Sequence, residues 1–227
     1  MTGLQFTTDR LTDLLDLGGP VIALLLALSV LVLAVIFYKL WQFMTLGVGR
    51  HRAIDGAMAA WDAGQRGQAA MLLSESRNHL APVLAEALAG DPELKPRLAA
   101  MAEARLARVE SGFRLLDSIA QVAPLLGLFG TVLGMIDAFR ALQAAGNAVD
   151  PSVLAGGIWV ALLTTAAGLA LAMPTALALT WLESRAARDR ARADLALEAL
   201  FRPLSPRRNP QSAVQRHHGR LDFADAH

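Results

Sequence analysis

Long runs of apolar residues constrain this chain more than any other feature of its sequence. The first run extends from Pro20 to Tyr38 and holds 19 residues without a charge, enough to cross a bilayer. Backbone amides surrounded by lipid must pair within their own segment, so the run is predicted to be a helix. A cleaved signal peptide is the competing interpretation, but signal peptides carry basic residues before a shorter apolar stretch. The segment before Pro20 holds three Asp and one Arg, which favours a retained span.

Two further apolar segments have the length of membrane spans. One covers residues 115–136, and the other covers residues 153–182, thirty residues without an ionisable side chain. A helix of that length measures roughly 45 Å, whereas the hydrocarbon core is roughly 30 Å thick. This third helix is therefore expected to tilt, to kink at Pro174 or to project beyond the bilayer. A hydrophobic content of 54% and a charged content of 18% agree with a membrane protein.

Arginine and lysine residues are concentrated on one side of the three spans. Ten lie between the first and second spans and nine follow the third, while the connector at 141–152 has none. Cytoplasmic flanks accumulate these residues, so the N-terminus is predicted outside and the C-terminus in the cytoplasm.

This topology predicts an all-α membrane protein whose second and third transmembrane helices extend into the cytoplasm. Its segments are a periplasmic N-terminal segment (1–19), a first transmembrane helix (20–43), a cytoplasmic helical region (44–112), a second transmembrane helix (113–140), a periplasmic loop (141–152), a third transmembrane helix (153–182), a cytoplasmic helical extension (183–202) and a disordered cytoplasmic tail (203–227).

Helical periodicity supports both extensions. Apolar residues from Leu98 to Leu116 repeat at helical spacing, which predicts one unbroken helix from Arg97 to near Phe139. The residues after 182 have high helix propensity and contain no Gly or Pro before Pro203. Four apolar side chains in this stretch are expected to pack, namely Leu195, Leu197, Leu200 and Phe201.

The composition leaves little room for an enzyme or a cofactor site. The chain has no Cys, and its five His are scattered without the spacing of a metal motif. No acid, base and nucleophile converge in the sequence, and a net charge of +1 gives no general attraction to nucleic acid. We therefore expect no catalytic residue, no metal, no cofactor and no nucleic acid partner.

Small residues and threonines form a face on each of the last two spans. Small residues allow close approach of helix backbones, as in the GxxxG pair Gly130 and Gly134. The residues predicted to pack these helices and form a pore wall are Pro124, Gly127, Gly130, Gly134, Gly157, Gly168 and Pro174. The hydroxyls predicted to line a polar path are those of Thr131, Thr164 and Thr165. Ordinary tight packing is the simpler interpretation of the glycines, and a lone Thr commonly bonds its own helix.

No ionisable residue lies at the centre of any span, although intramembrane charge usually marks an ion path. If protons cross an assembly that contains this chain, the titrating carboxylate is therefore expected on a partner.

Two sequence blocks carry a family resemblance: AQVAPLLGLFGTVLGMIDAF at 120–139 and LAGGIWVALLTTAAGLALAMP at 154–174. With these blocks and three spans, the chain resembles the ExbB/TolQ/MotA group of proton-channel subunits. The resemblance implies a homopentamer in the bacterial inner membrane, whose second and third helices surround an ExbD/TolR-like single-span partner with a protonatable Asp. It further implies that Thr131 and Thr165 face that carboxylate, and that proton flow energises a TonB- or TolA-like protein.

The chain departs from that family at Val160, where many relatives have Glu. The favoured hypothesis is an ExbB-like subunit for TonB-dependent outer-membrane transport. A TolQ-like subunit for envelope integrity and division is an alternative, and a four-span MotA-like stator fits three spans less well. A membrane scaffold that conducts no protons is the alternative from another class.

Overall fold

The structure is a computed structural model that describes residues 2–89, 91–145 and 151–202. All regular structure in this part of the chain is helical. The helices are α1 (Thr2–Thr45), α2 (Arg52–Asp62), α3 (Arg66–Ser74), α4 (Ala81–Ala87), α5 (Lys95–Glu110), α6 (Phe113–Ala145) and α7 (Pro151–Phe201), with a 3₁₀ turn at Pro92–Leu94 before α5. The predicted tail at 203–227 and residues 146–150 of the predicted loop lie outside the described residues.

Three segments of the described chain are long and apolar enough to cross a membrane. They are Gly19–Thr45, Pro92–Ala144 and Leu154–Phe201. Three such segments in one chain are the pattern of a multi-pass membrane protein.

Helix α1 changes direction where its apolar part begins. Gly19 has φ 61° and ψ −161°, outside the helical region, and Pro20 follows it. Proline suits the first turn of a helix because its missing N–H would have no partner there. The Gly19–Pro20 pair therefore separates the polar N-terminal part of α1 from the spanning part that ends at Thr45.

The predicted unbroken helix from Arg97 to Phe139 is wrong. Helix α5 ends at Glu110 and α6 begins at Phe113, because Gly112 has φ 86°. This left-handed conformation is strained for residues with a Cβ. The apolar spacing conceals the break, since Val109 and Phe113 are both buried and four residues apart.

The buried side chain of Lys39 forms hydrogen bonds at this break. The Lys39 ammonium, whose residue is 2% exposed, donates to the Val109 carbonyl at 3.1 Å. It also donates to Ser111 Oγ at 3.3 Å and to Gln42 Oε1 at 2.7 Å. Carbonyls in the last turn of a helix lack intrahelical partners, so Lys39 stabilises the C-terminus of α5.

The chain divides into two compact units. Among the described residues, the first contains α1, α6 and α7 up to Arg185, and the second contains residues 46–108 and residues 186–202. In the first unit, α1 packs against α6 and α7 through Val21, Leu25, Ala123 and Ala172. Many large apolar side chains of α6 and α7 remain exposed, as expected for helices surrounded by lipid or by other helices.

In the second unit, the last turns of α7 complete a core built on α2 to α5. Leu197 and Leu200 are buried in this core, and Trp61 Nε1 donates to the Leu200 carbonyl at 3.0 Å. Phe201 is partly buried, but Leu195 is 59% exposed. The packing predicted for Leu195 is therefore wrong, because this residue lies on the solvent face of α7.

Candidate functional site

Helices α6 and α7 pack closely along a seam, in which glycine residues of each helix lie against atoms of the other helix. A Cβ added at Gly130 would lie 2.6 Å from Thr164 Oγ1, and one added at Gly127 would lie 2.9 Å from the Thr164 carbonyl. Real Cβ atoms are not found this close to other atoms, so only glycine fits at these two positions.

The same complementarity extends along the seam in both directions. A Cβ at Gly168 would lie 2.5 Å from the Ala123 carbonyl oxygen, and one at Gly157 would overlap Ala138 Cβ. Gly134 is less constrained, since its Cβ would lie 3.2 Å from Ala161 Cβ. The structure thus brings together the five predicted seam glycines, at the close approach typical of small-residue interfaces.

Thr164 and Thr165 are held at this seam by hydrogen bonds to α6. Thr165 Oγ1 donates to the Gly127 carbonyl at 3.2 Å. Thr164 Oγ1 lies 3.3 Å from the same carbonyl and 2.7 Å from the Ala161 carbonyl of its own helix. Thr164 is 1% exposed, whereas Thr165 is half-buried at the margin of the seam. Of these two hydroxyls, only that of Thr165 lies near a free surface of the unit.

The Thr131 hydroxyl bonds within its own helix. It donates to the Leu128 carbonyl at 2.6 Å, and the residue is half-buried. It lines a shallow concavity of about 540 Å³ on α6, together with residues that include Met135 and Arg140. Thr131 therefore borders an open face of α6.

Thr131 and Thr165 lie on the flank of the seam that faces away from α1. On the α1 side, Leu126 and Leu133 of α6 and Ala167 and Leu171 of α7 pack around the α1 core. A helix turns by about 100° per residue, which places the two threonines on the opposite flank of their helices. The free flank of the α6–α7 pair thus carries one hydroxyl from each helix.

The two predicted prolines take different positions. Pro124 is half-buried inside α6, whereas Pro174 is exposed inside α7 and lines an apolar cleft against α1.

Val160 precedes Ala167 by seven residues and so lies on the α1 side of α7. Val160 therefore lies away from the flank that carries Thr131 and Thr165.

Charged groups stay at the ends of the spanning helices. Asp137 and Arg140 lie 3.8 Å apart, and both side chains are 76% exposed, so this pair contributes little to stability. Within the described residues, no group of three or more His, Cys, Asp or Glu has the geometry to hold a metal ion.

A polar cluster in the second unit was missed by the sequence analysis. Asp189 of α7 is fully buried, and its Oδ1 accepts hydrogen bonds from the Gly49 N–H at 2.9 Å and from His51 Nε2 at 2.7 Å. His79 Nδ1 lies 3.8 Å from Asp189 Oδ2. Burial lowers the pKa of His79, and Asp189 opposes that shift only in part.

A signal for Asp189 exists in the sequence. The residue lies at helical spacing between Ala186 and Ala193, both of which are buried. An acidic residue at the helical spacing of buried residues indicates a buried polar contact. The surrounding arginines, however, made the segment resemble a solvent-exposed helix next to the membrane.

The comparisons with known proteins agree with this architecture. Residues 70–194 match the MotA/TolQ/ExbB proton channel family. The chain is 36% identical to a putative biopolymer transport protein ExbB-like 1 of Synechocystis over 174 residues, which are 73% of this chain and 68% of the relative. It is 53% identical to the biopolymer transport protein exbB1 of Vibrio cholerae over 64 residues, 28% of each protein. It is also 43% identical to the Tol-Pal system protein TolQ of Haemophilus influenzae over 77 residues, 33% of that protein.

Proposed function

Because this chain belongs to the MotA/TolQ/ExbB proton channel family, we propose that its α6–α7 pair lines a proton path by the flank that carries Thr131 and Thr165. The family and its relatives make the chain a proton-channel subunit of the biopolymer transport type.

The observation that carries the proposal is the pair of half-buried hydroxyls on the free flank. Each hydroxyl donates to a backbone carbonyl, Thr131 to Leu128 and Thr165 to Gly127. Each oxygen can still accept a hydrogen bond, so a water chain or a partner carboxylate can exchange protons beside it. Thr164 is assigned to helix packing, because its side chain fills the space left by Gly130.

The proton acceptor is proposed to lie on another chain. Residues 153–182 contain no ionisable side chain, and the carboxylate of Asp137 lies near the end of its span. A single-span partner of the ExbD/TolR type with an intramembrane Asp would supply the group, and copies of this chain would surround it. From the arginine distribution we further propose that the N-terminus lies outside and the second unit in the cytoplasm.

The transport branch is proposed to be ExbB-like, with a TonB-like protein energised by proton flow. The names of two relatives that align with the larger part of this chain support this choice, since both contain ExbB. The TolQ-like alternative is supported by the shorter match to a Tol-Pal protein.

The test is proton flux in vesicles that contain the chain and an ExbD/TolR-type partner from the same genome. The double variant Thr131→Val and Thr165→Val removes both hydroxyls at nearly constant volume, and flux should fall by about tenfold or more. Thr165→Ser keeps the hydroxyl and should keep most of the flux.

Thr175→Val is the matched control. Thr175 Oγ1 donates to the Leu171 carbonyl of the same helix at 2.7 Å, but the residue lines the cleft on the α1 side. Its loss should leave flux unchanged. Full flux in the assembled double variant would reject the threonine path, and absence of flux from the unmodified complex would favour the scaffold alternative.

A further inference from the structure

Two acidic side chains continue the flank of the α6–α7 pair that carries Thr131 and Thr165, the threonine flank. Asp117 lies on α6 and Glu183 lies on α7, and both residues are exposed. Among the hydrogen bonds and ion pairs of the described residues, none uses either carboxylate. The proton path proposed above has no role for them, although both belong to the same unit as the two threonines.

On α6, Asp117 faces nearly the same direction as Thr131. Fourteen positions separate the two residues, and α6 is continuous helix from Phe113 to Ala145. At about 100° per residue, fourteen positions return the side-chain direction to within about 40°. Leu126 and Leu133, which pack toward α1, lie about 160–180° around the helix from Asp117. Asp117 therefore lies on the free flank of α6.

On α7, Glu183 faces the same direction as Thr165. Eighteen positions separate them, which is about five full turns of a continuous helix. Ala167 and Leu171, which pack toward α1, lie about 120–160° around the helix from Glu183. Glu183 therefore lies on the free flank of α7.

The two helices of the pair run antiparallel. Gly157 lies against Ala138, whereas Gly168, later in α7, lies against Ala123, earlier in α6. The end of the span in α7 is therefore beside the start of α6. From the arginine distribution, this is the end proposed to face the cytoplasm. Both acids thus lie at the cytoplasmic end of the proposed path.

Distances along the helices give the order of the four polar groups. At about 1.5 Å per residue, Asp117 is about 21 Å from Thr131 along α6. By the same measure, Glu183 is about 27 Å from Thr165 along α7. The threonine flank thus carries two hydroxyls within the span and two carboxylates near its end. Such a carboxylate can bind a proton and release it again, as Asp and Glu do in proton transfer.

Two cations lie close to these acids in the sequence without forming ion pairs with them. Arg114 precedes Asp117 by three residues, a spacing at which an ion pair can form on a helix, but none is formed. The guanidinium of Arg185 lies over the Trp181 ring, 5.1 Å from its centroid. Both carboxylates therefore remain open to water.

We propose that Asp117 and Glu183 are the proton acceptors at the cytoplasmic end of this path, an inference that rests on the proposed function. A proton released by the partner's carboxyl group passes the threonines through water and binds to a carboxylate oxygen of Asp117. It then moves to Glu183, which releases it to water in the cytoplasm. Both acids end each transfer as carboxylates, so they are ready for the next proton.

The test measures proton flux in vesicles that contain the chain and its ExbD/TolR-type partner. The double variant Asp117→Asn and Glu183→Gln removes both carboxylates at nearly constant volume, and flux should fall by about tenfold. Asp137→Asn is the matched control on α6. Asp137 lies near the opposite end of the span and about 160° around the helix from Asp117, so its loss should leave flux unchanged.

A soluble buffer distinguishes proton transfer from a structural role. MES, a buffer that does not cross the bilayer, is added at high concentration on both sides of the vesicles. It can accept protons at the cytoplasmic end in place of the missing carboxylates, so it should restore most of the flux of the acid double variant. Copurification with the partner verifies that each variant assembles.

The outcomes separate this inference from the proposed path. A loss of flux that MES restores supports the two acids as acceptors. Full flux in the acid double variant, together with loss in the double variant of Thr131 and Thr165, would keep the path and reject the acids. A loss that MES does not restore, or an equal loss in Asp137→Asn, would also reject them. Absence of flux from the unmodified complex would overturn both proposals.

Discussion

Single atoms decide how closely α6 and α7 approach. At Gly168 an added methyl group would meet the backbone oxygen of Ala123, which cannot turn aside as a flexible side chain would. The seam therefore depends on the absence of a side chain at this position. Nearby Gly156 differs, because an added Cβ there would meet nothing within 4 Å.

This contrast gives a prediction for two alanine variants on one helix. Gly168→Ala should destabilise the protein by about 1–3 kcal/mol through overpacking. Gly156→Ala should stabilise it by up to about 1 kcal/mol, because alanine loses less conformational entropy in a helix. Thermal unfolding in detergent measures both variants. Equal melting temperatures would contradict the close approach of Gly168 to Ala123.

The buried imidazole of His79 gives a pH prediction. Its pKa is lowered in the folded state, chiefly by burial, so between the folded pKa and the unfolded value near 6.5 the unfolded chain binds more protons. The contribution of His79 to stability is thus present above about pH 6.5 and is lost as pH falls below that value toward the folded pKa.

Hydrogen exchange of α2 to α4 measures this effect. Protection should decrease from about pH 7 to about pH 5 after correction for the intrinsic exchange rate. His79→Gln should flatten part of that dependence, whereas Gln68→Asn on exposed α3 should not. An unchanged slope in His79→Gln would show that His79 does not control the acid response.

At the scale of elements, the decisive feature is the Gly112 break between α5 and α6. Gly112→Ala places a Cβ on a residue with φ 86°, which should cost about 1–2 kcal/mol and expose the C-terminus of α5. Gly67→Ala is the control, because Gly67 lies in α3 with open space around it and without a positive φ. Melting temperature and exchange at Val109 are the measurements. A Gly112→Ala protein as stable as Gly67→Ala would show that the break is not required.

Part of this element structure could be predicted from the sequence. The three apolar segments and the helical character of α7 beyond residue 182 follow from local composition and propensity. The Gly112 break could not be predicted, because buried Val109 and Phe113 keep helical spacing across it. Closure of the break depends on Lys39, 70 residues from Val109 in the sequence, and no local pattern records such a contact.

The candidate site could likewise be predicted only in part. Glycines at three- and four-residue spacing indicated the seam, and the two motif blocks indicated the family. The different positions of Thr164 and Thr165 could not be predicted from the sequence. They depend on which glycine each threonine opposes, and the register between α6 and α7 decides this. Asp189 was missed because its partners, Gly49 and His51, lie about 140 residues away in the chain.

At the scale of the whole molecule, the first unit leaves a large apolar surface without a partner of its own. Leu125, Leu128, Leu162 and Leu177 are each more than half exposed. Lipid can cover some of this surface, but the threonine flank is polar as well as apolar. A chain of this family is therefore expected to reach its working form only with other subunits around it.

The glycine seam also limits how such an assembly can move. Where two helix backbones touch through glycine, few side chains lie between them that could change rotamer. The α6–α7 pair is therefore expected to move as one rigid element. If the chain works in the proposed assembly, rotation or sliding is expected between the α6–α7 pairs of neighbouring subunits rather than within a pair. A substitution at the seam would alter the shape of the pair, whereas one on the threonine flank would alter only the surface of the proposed proton path.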